Sequence, residues 1–210
     1  MTRIDKHVGL LLAAGTRLVT GAVGRWVDCE PSTRQRIYYA NHSSHLDILL
    51  LWASLPREVR RLTRPAAARD YWSATPLRRY LALRVFNAIL IDRPGHGAGP
   101  RAALQSVEDT VAALGTDHSL IIFPEGTRGE GYEMSPFRSG IYHLAKRLSG
   151  VDLVPVFLEN LNRILPKGEL FPVPLLSSIN FGRPIVLKAG EAKADFISRA
   201  QRAVAELREI

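Results

Sequence analysis

One cysteine, Cys29, stands in the 210 residues, so no intrachain disulfide can form and a reducing compartment is expected. Nothing around Cys29 marks it as an activated thiolate, and a plain structural thiol is the expected reading. No apolar run reaches the roughly 18 uninterrupted residues of a spanning helix, so no transmembrane span is expected. A signal-peptide pattern is missing too: Val8 to Ala14 is apolar, but no convincing cleavage site follows it. No internal repeat, low-complexity tract or linker divides the chain, and no recognised nucleic-acid motif occurs in it. Acidic residues are scarce relative to basic ones. The 20 Asp and Glu face 28 Lys and Arg, a formal charge of +8. That excess calls for an anionic partner: an acidic membrane surface, phosphorylated substrates or an acidic carrier protein, with nucleic acid not expected in the absence of a motif.

With 46% hydrophobic and 23% charged residues, the chain is long enough to bury the core of one domain. Residues 1–27 carry Arg3, Lys6, Arg17 and Arg25 among Leu10, Leu11, Leu18, Val19, Val23 and Trp26. They predict an amphipathic helix that either lies in a bilayer interface or packs on the domain's own core, ahead of a catalytic domain over 28–210. From there strands and helices alternate. A strand at Ile37–Ala40 leads into a helix over about 46–54. Val85–Ile91 reads as a buried strand, Pro100 opens a helix to about Leu114, and Ser119–Phe123 is a strand again. Ser139 is expected to cap a helix to about Leu148, and Val151–Leu158 is a further strand. The proline-rich stretch 160–176 reads as irregular. Short strands at Ile179–Phe181 and Ile185–Leu187 come before an amphipathic terminal helix. Such alternation predicts an α/β fold, a single domain with a central, mostly parallel sheet flanked by helices and a site beyond the strands' carboxyl ends. Between helix and strand, the segment Arg57 to Arg84 interleaves arginines with Tyr71, Trp72 and Tyr80, which suits a membrane-facing or nucleic-acid-facing surface or a solvated one.

Three polar clusters each follow an expected strand: Asn41 to Asp47, Asp92-Arg93, and Glu125 to Arg128. In the first, His42 and Asp47 are five apart. On one continuous helix they would point about 140° away from each other. With His42 in the turn, Ser43 or Ser44 as N-cap and Asp47 in the first helical turn, the carboxylate folds back on the imidazole and makes it a general base. The alternative is a Ser-capped helix whose Asp47 complements the helix dipole. In the third cluster, Gly126, Gly129 and Gly131 let backbone amides turn toward an anion. Arg128 can clamp a phosphate, and Glu125 can orient Arg128 or accept from a hydroxyl. Its alternative is a flexible turn with an exposed Glu–Arg pair. Arg93, beside a glycine-rich loop, is a second candidate phosphate ligand.

Taken in order, Asn41-His42-x-Ser44-x-x-Asp47, Ile89-Leu90-Ile91-Asp92-Arg93, Phe123-Pro124-Glu125-Gly126-Thr127-Arg128, Phe137-Arg138-Ser139-Gly140 and Val154-Pro155-Val156 closely resemble the glycerol-phosphate and lysophosphatidic acid acyltransferases. The resemblance spans about residues 37–187. It implies that His42 takes the proton of the acceptor hydroxyl and Asp47 orients it, while Arg93, Glu125, Gly126, Thr127 and Arg128 bind the acceptor and its phosphate. It also implies transfer of a fatty acyl group from acyl-CoA or acyl-ACP (acyl carrier protein) to 1-acyl-sn-glycerol-3-phosphate, giving phosphatidic acid, without metal, cofactor or acyl-enzyme. The expected location is peripheral, on the cytoplasmic face of the membrane. The second motif departs from the family at Asn87 and Leu90, where Gly and Phe are usual, and Gly129 stands for a common Ser. These changes leave the proposed pair intact and bear on which acceptor is used. Another lyso-lipid or glycerol 3-phosphate as acceptor, a thioesterase or lysophospholipase in which His42 activates water, and a non-catalytic basic membrane-binding protein are the alternatives left open by the residues.

Overall fold

The computed structural model describes residues 2–44, 46–92, 100–127, 129, 134–159 and 177–209. Strands β1 (Val23–Trp26), β2 (Arg36–Ala40), β3 (Thr63–Ala68), β4 (Ile89–Ile91), β5 (Ser119–Ile122), β6 (Asp152–Leu158) and β7 (Ser178–Phe181) form one sheet in the order β1-β7-β6-β2-β5-β3-β4. From β6 across to β4 every pairing is parallel, while β7 runs antiparallel to β6 and carries β1 parallel to itself. The expected single α/β domain with a mostly parallel sheet is what the chain forms.

The central strands are apolar on both faces because both faces are covered. Tyr38, Ala40, Ile121, Val154 and Val156 point to one side, under α1 (Arg3–Thr20) and α2 (Asp47–Ser54). Ile37, Tyr39, Leu120, Ile122 and Leu153 point to the other, under the later helices of the chain. Between α2 and β4 come the short helices α3 (Arg57–Arg61), α4 (Arg69–Trp72) and α5 (Pro76–Tyr80), then a π-helical turn, Leu81–Val85. On the far face lie α6 (Pro100–Leu114), α7 (Gly140–Arg147) and α8 (Lys193–Ala205).

Four local readings differ from the structure. The N-terminal helix ends at Thr20 rather than near residue 27. Gly21, at φ 57°, takes the left-handed conformation that closes it, and Trp26 on β1 then stacks on Phe181 with ring centroids 4.0 Å apart. Thr63–Ala68, unmarked by pattern, is a strand that changes partner midway: Thr63 to Pro65 pair with β5 and Ala66 to Ala68 with β4. The strand expected over Val85–Ile91 covers only Ile89–Ile91, because the π-helical turn and Asn87, at φ 52°, occupy its start. A glycine usual at that place fits the same left-handed backbone, which Asn tolerates better than most residues. Ile185 makes one isolated antiparallel bridge to Leu153 instead of a strand. The stretch 160–176 lies outside the described residues.

Helix α1 is fixed to the domain through a buried carboxylate. Asp5 accepts from the Thr2 backbone N–H at 2.6 Å and the Tyr80 hydroxyl at 3.1 Å, and pairs with Arg84 at 3.1 Å. The Thr2 amide, followed by the Thr2 and Tyr80 hydroxyls and Arg84, holds its carboxyl below the usual carboxylate range. A depressed folded-state pKa contributes stability that is present above the ordinary carboxylate value and lost as pH falls through the folded one. Amide exchange in α1 is therefore expected to accelerate below about pH 4 in the parent chain, and Asp5→Asn is expected to show the faster exchange already at neutral pH.

Candidate active site

Strands β2 and β5 are neighbours, and the turns that leave their carboxyl ends carry the first and third polar clusters. Asn41 extends β2 by one side-chain pairing. Its amide donates to the Leu158 carbonyl at 3.0 Å and its carbonyl accepts the Leu158 N–H at 2.8 Å, which ties the turn to the end of β6.

His42 follows. Its Nδ1 lies 2.7 Å from Asp47 Oδ2, and the same oxygen accepts the backbone N–H groups of Ser43 at 2.6 Å and Ser44 at 2.9 Å. The expected Ser cap is absent: Leu46 is the cap residue and makes no side-chain cap bond, while Asp47, fully buried, reaches back to the amides instead. Short turn backbone leaves those amides without ladder partners, and a carboxylate in the first helical turn is the acceptor within reach. Because Oδ2 acts as an acceptor toward all three, Nδ1 must be the donor. The imidazole is thereby held as the tautomer whose lone pair is on Nε2. The ring stacks on Phe123 with centroids 4.4 Å apart and keeps 18% of its side chain exposed.

Glu125 holds the other side of this turn. Oε1 accepts the His42 backbone N–H at 2.7 Å and Oε2 that of Ser135 at 2.9 Å, and the residue is only 2% exposed. Burial outweighs these bonds and pushes its carboxyl above the ordinary range. Expected to bind the acceptor, Glu125 has each oxygen bonded to a backbone amide in this structure and so helps to position His42. The His42 carbonyl accepts the Gly129 N–H at 2.9 Å, a second tie between the two loops.

Gly126, at φ 73°, turns the chain in the left-handed region, and Arg138 lies across it, where a Cβ would meet Nε at 2.8 Å and Cδ at 2.9 Å. Arg138 is held there by its own bond from Nε to the Glu125 carbonyl at 3.0 Å. Gly126→Ala is expected to cost about 1–2 kcal/mol from backbone strain alone, measured by denaturant unfolding, and more if Arg138 is displaced. Gly126 and Thr127 are exposed beside this turn. Arg93 and Arg128 lie outside the described residues. Asp92 forms an exposed pair with Arg69 at 2.8 Å. The structure thus brings His42, Asp47, Glu125 and Gly126 together. It adds Asn41, Phe123, Ser135 and Arg138, of which Asn41, Phe123 and Arg138 were visible as motif letters and Ser135 had no signal.

A family model described as Acyltransferase matches residues 28–159, a span that holds the whole of this constellation. The chain belongs to the acyltransferase family. Among curated relatives, it is 30% identical over 176 residues to a 1-acyl-sn-glycerol-3-phosphate acyltransferase of Cocos nucifera, covering 80% of this chain and 54% of that protein. It is 30% identical over 140 residues to 1-acyl-sn-glycerol-3-phosphate acyltransferase alpha of Mus musculus, covering 66% and 45%. The chain spans about half the length of the curated relatives it matches. The fold is shared with the crystal structure of the 1-acyl-sn-glycerophosphate (LPA) acyltransferase PlsC from Thermotoga maritima. That match has a TM-score of 0.73 at 20% identity and covers 98% of this chain and 80% of that one.

Proposed function

We propose that this acyltransferase moves a fatty acyl group from an acyl thioester, acyl-CoA or acyl-ACP, to the free hydroxyl of 1-acyl-sn-glycerol-3-phosphate, giving phosphatidic acid for phospholipid synthesis. The observation that carries the reading is the 2.7 Å contact of His42 Nδ1 with buried Asp47, which leaves Nε2 free to receive a proton. In the reaction, Nε2 takes the hydroxyl proton as the oxygen attacks the thioester carbonyl. The tetrahedral intermediate collapses, the C–S bond breaks, and the thiolate takes the proton back from the imidazolium. Asp47 stabilises that imidazolium. General-base help of this kind is worth about 10²–10⁴ in rate, and holding alcohol and thioester together supplies more. Exposed Gly126 and Thr127, with Arg93 and Arg128, are the residues proposed for the acceptor's phosphate. The route needs no metal, no resident cofactor and no acyl-enzyme.

The lipid acceptor is proposed to be met at an anionic membrane surface on the cytoplasmic side. Among the described residues no helix is long and apolar enough to cross a membrane. Helix α1 instead presents a line of apolar residues seven apart, Ile4, Leu11 and Leu18, which are 72%, 74% and 86% exposed. With Arg3 and Lys6 near its start, such a face suits an interface carrying anionic lipid. Leu11→Asp with Leu18→Asp is expected to abolish co-sedimentation with vesicles containing anionic lipid while leaving transfer between detergent-dispersed substrates intact. Unchanged co-sedimentation would remove α1 from the membrane contact.

The substrate assignment is tested with a panel. Acyl-CoA and acyl-ACP are each offered with 1-acyl-sn-glycerol-3-phosphate, glycerol 3-phosphate and phosphate-free lyso-lipids, and the ester products are quantified. Phosphatidic acid as the dominant product is expected. Equal transfer to phosphate-free acceptors would refute the phosphate-bearing acceptor.

A further inference from the structure

A cavity of about 400 Å³ opens between α1, α3 and the π-helical turn, within the size range of small-ligand pockets. Thr63, the first residue of β3, and Asn87, just before β4, are in its wall, so it sits at the sheet edge opposite the strand ends that carry His42 and Glu125. Four cations line it: Lys6, Arg57, Arg60 and Arg61. Trp52, Val85 and Phe86 form an apolar wall.

Arg60 is the unusual member. It is only 8% exposed, and among the described residues it forms no salt bridge, Glu58 acting on it only at longer range. Its guanidinium lies 5.0 Å over the Trp52 ring and donates from Nη1 to the Ala53 carbonyl at 3.2 Å. That carbonyl already accepts from Arg17 Nε at 2.8 Å. A helix C-terminus offers roughly half a negative charge. Two guanidiniums on the end of α2 therefore exceed what it can neutralise by more than a full positive charge, before Arg57 and Arg61 are added. Burial, with Arg17 and Arg57 nearby, pushes the Arg60 pKa down, and Glu58 offsets this only in part. A buried charge without a partner is costly, and an anion entering the cavity would remove the cost. Guanidinium forks match phosphate oxygens in geometry as well as charge.

We infer that the cavity lined by Lys6, Arg57, Arg60 and Arg61 is a second anion site that takes a phosphoryl group, either the headgroup of an anionic lipid or a soluble phosphate. It is separate from the acceptor site at His42 and does not depend on the acyl-transfer reading.

The test is ¹⁵N NMR of the full chain, following the indole N–H of Trp52, assigned with Trp52→Phe, and the backbone amides of 57–61. Inorganic phosphate is titrated at constant ionic strength, and a soluble short-chain phosphatidate is titrated separately. Saturable shifts of these signals are expected with at least one ligand, and affinity about tenfold or more lower in Arg57→Ala/Arg61→Ala. Shifts with phosphate assign the site to soluble phosphates, and shifts with phosphatidate alone assign it to lipid headgroups. Amides near His42 and Gly126 report any phosphate bound at the other site, so the two are read independently. No shift with either ligand, or the same affinity in the double variant, would overturn the proposal and leave Arg60 as a cap on α2 only.

Discussion

Replacing His42 by alanine is expected to lower acyl transfer by about 10²–10⁴-fold while keeping most of the stability of the parent chain. The two halves of this expectation have separate causes. Activity falls because the nitrogen proposed to take the hydroxyl proton is gone, and no other side chain shown at this turn presents a free base: both Glu125 oxygens are occupied by backbone amides. Stability is mostly kept because the ring is partly exposed and its loss leaves Asp47 Oδ2 with the Ser43 and Ser44 amides still bonded. What is lost is the stacking on Phe123 and the Nδ1–H bond to Asp47, each worth about 1 kcal/mol. Initial rates of thiol release beside calorimetric unfolding decide both halves.

Asp47→Ala is expected to lose as much activity and to be the less stable variant. One oxygen of this buried carboxylate serves three N–H donors, two of them backbone groups with no other acceptor among the described residues. Leaving a buried donor unsatisfied costs about 1–3 kcal/mol, so two amides bring the expected loss to about 2–6 kcal/mol. Asp47→Asn separates charge from shape. Its carbonyl oxygen can stand where Oδ2 stands and keep the turn, but it offers no negative charge to the imidazolium. It should unfold between the parent and Asp47→Ala in denaturant while its transfer rate falls by about 10²–10⁴. An Asp47→Ala protein as stable as the parent would show that the turn is held by something other than this carboxylate.

The contrast between these variants reflects which parts of the molecule short sequence patterns encode. The sheet was legible where strands are buried on both faces, as in Ile37-Tyr38-Tyr39-Ala40 and Ser119 to Ile122, because continuous apolar runs have no other economical use. It was not legible at Thr63–Ala68, whose proline and alanines have little strand preference and which owes its conformation to partners on both sides. Val23 to Trp26 continued the apolar spacing of α1, and only Gly21 marked the break. At the site, the five-residue spacing of His42 and Asp47 made their approach readable from local geometry. The role of Glu125 depends on an amide 83 positions earlier in the chain, an approach that only the sheet order creates. Arg138 is positioned by the Gly126 turn it covers, a packing relation that no spacing rule contains.

The family and the fold rest on the matched span and the shared architecture, while the chemistry rests on one claim, that the base at His42 activates an alcohol and not water. Thiol release from acyl-CoA by the parent chain, measured with and without 1-acyl-sn-glycerol-3-phosphate, tests it most directly. Release that is nearly absent without the acceptor, and that with it matches the phosphatidic acid formed mole for mole, is the predicted result. Release at the same rate in both cases would contradict it and make the protein a hydrolase.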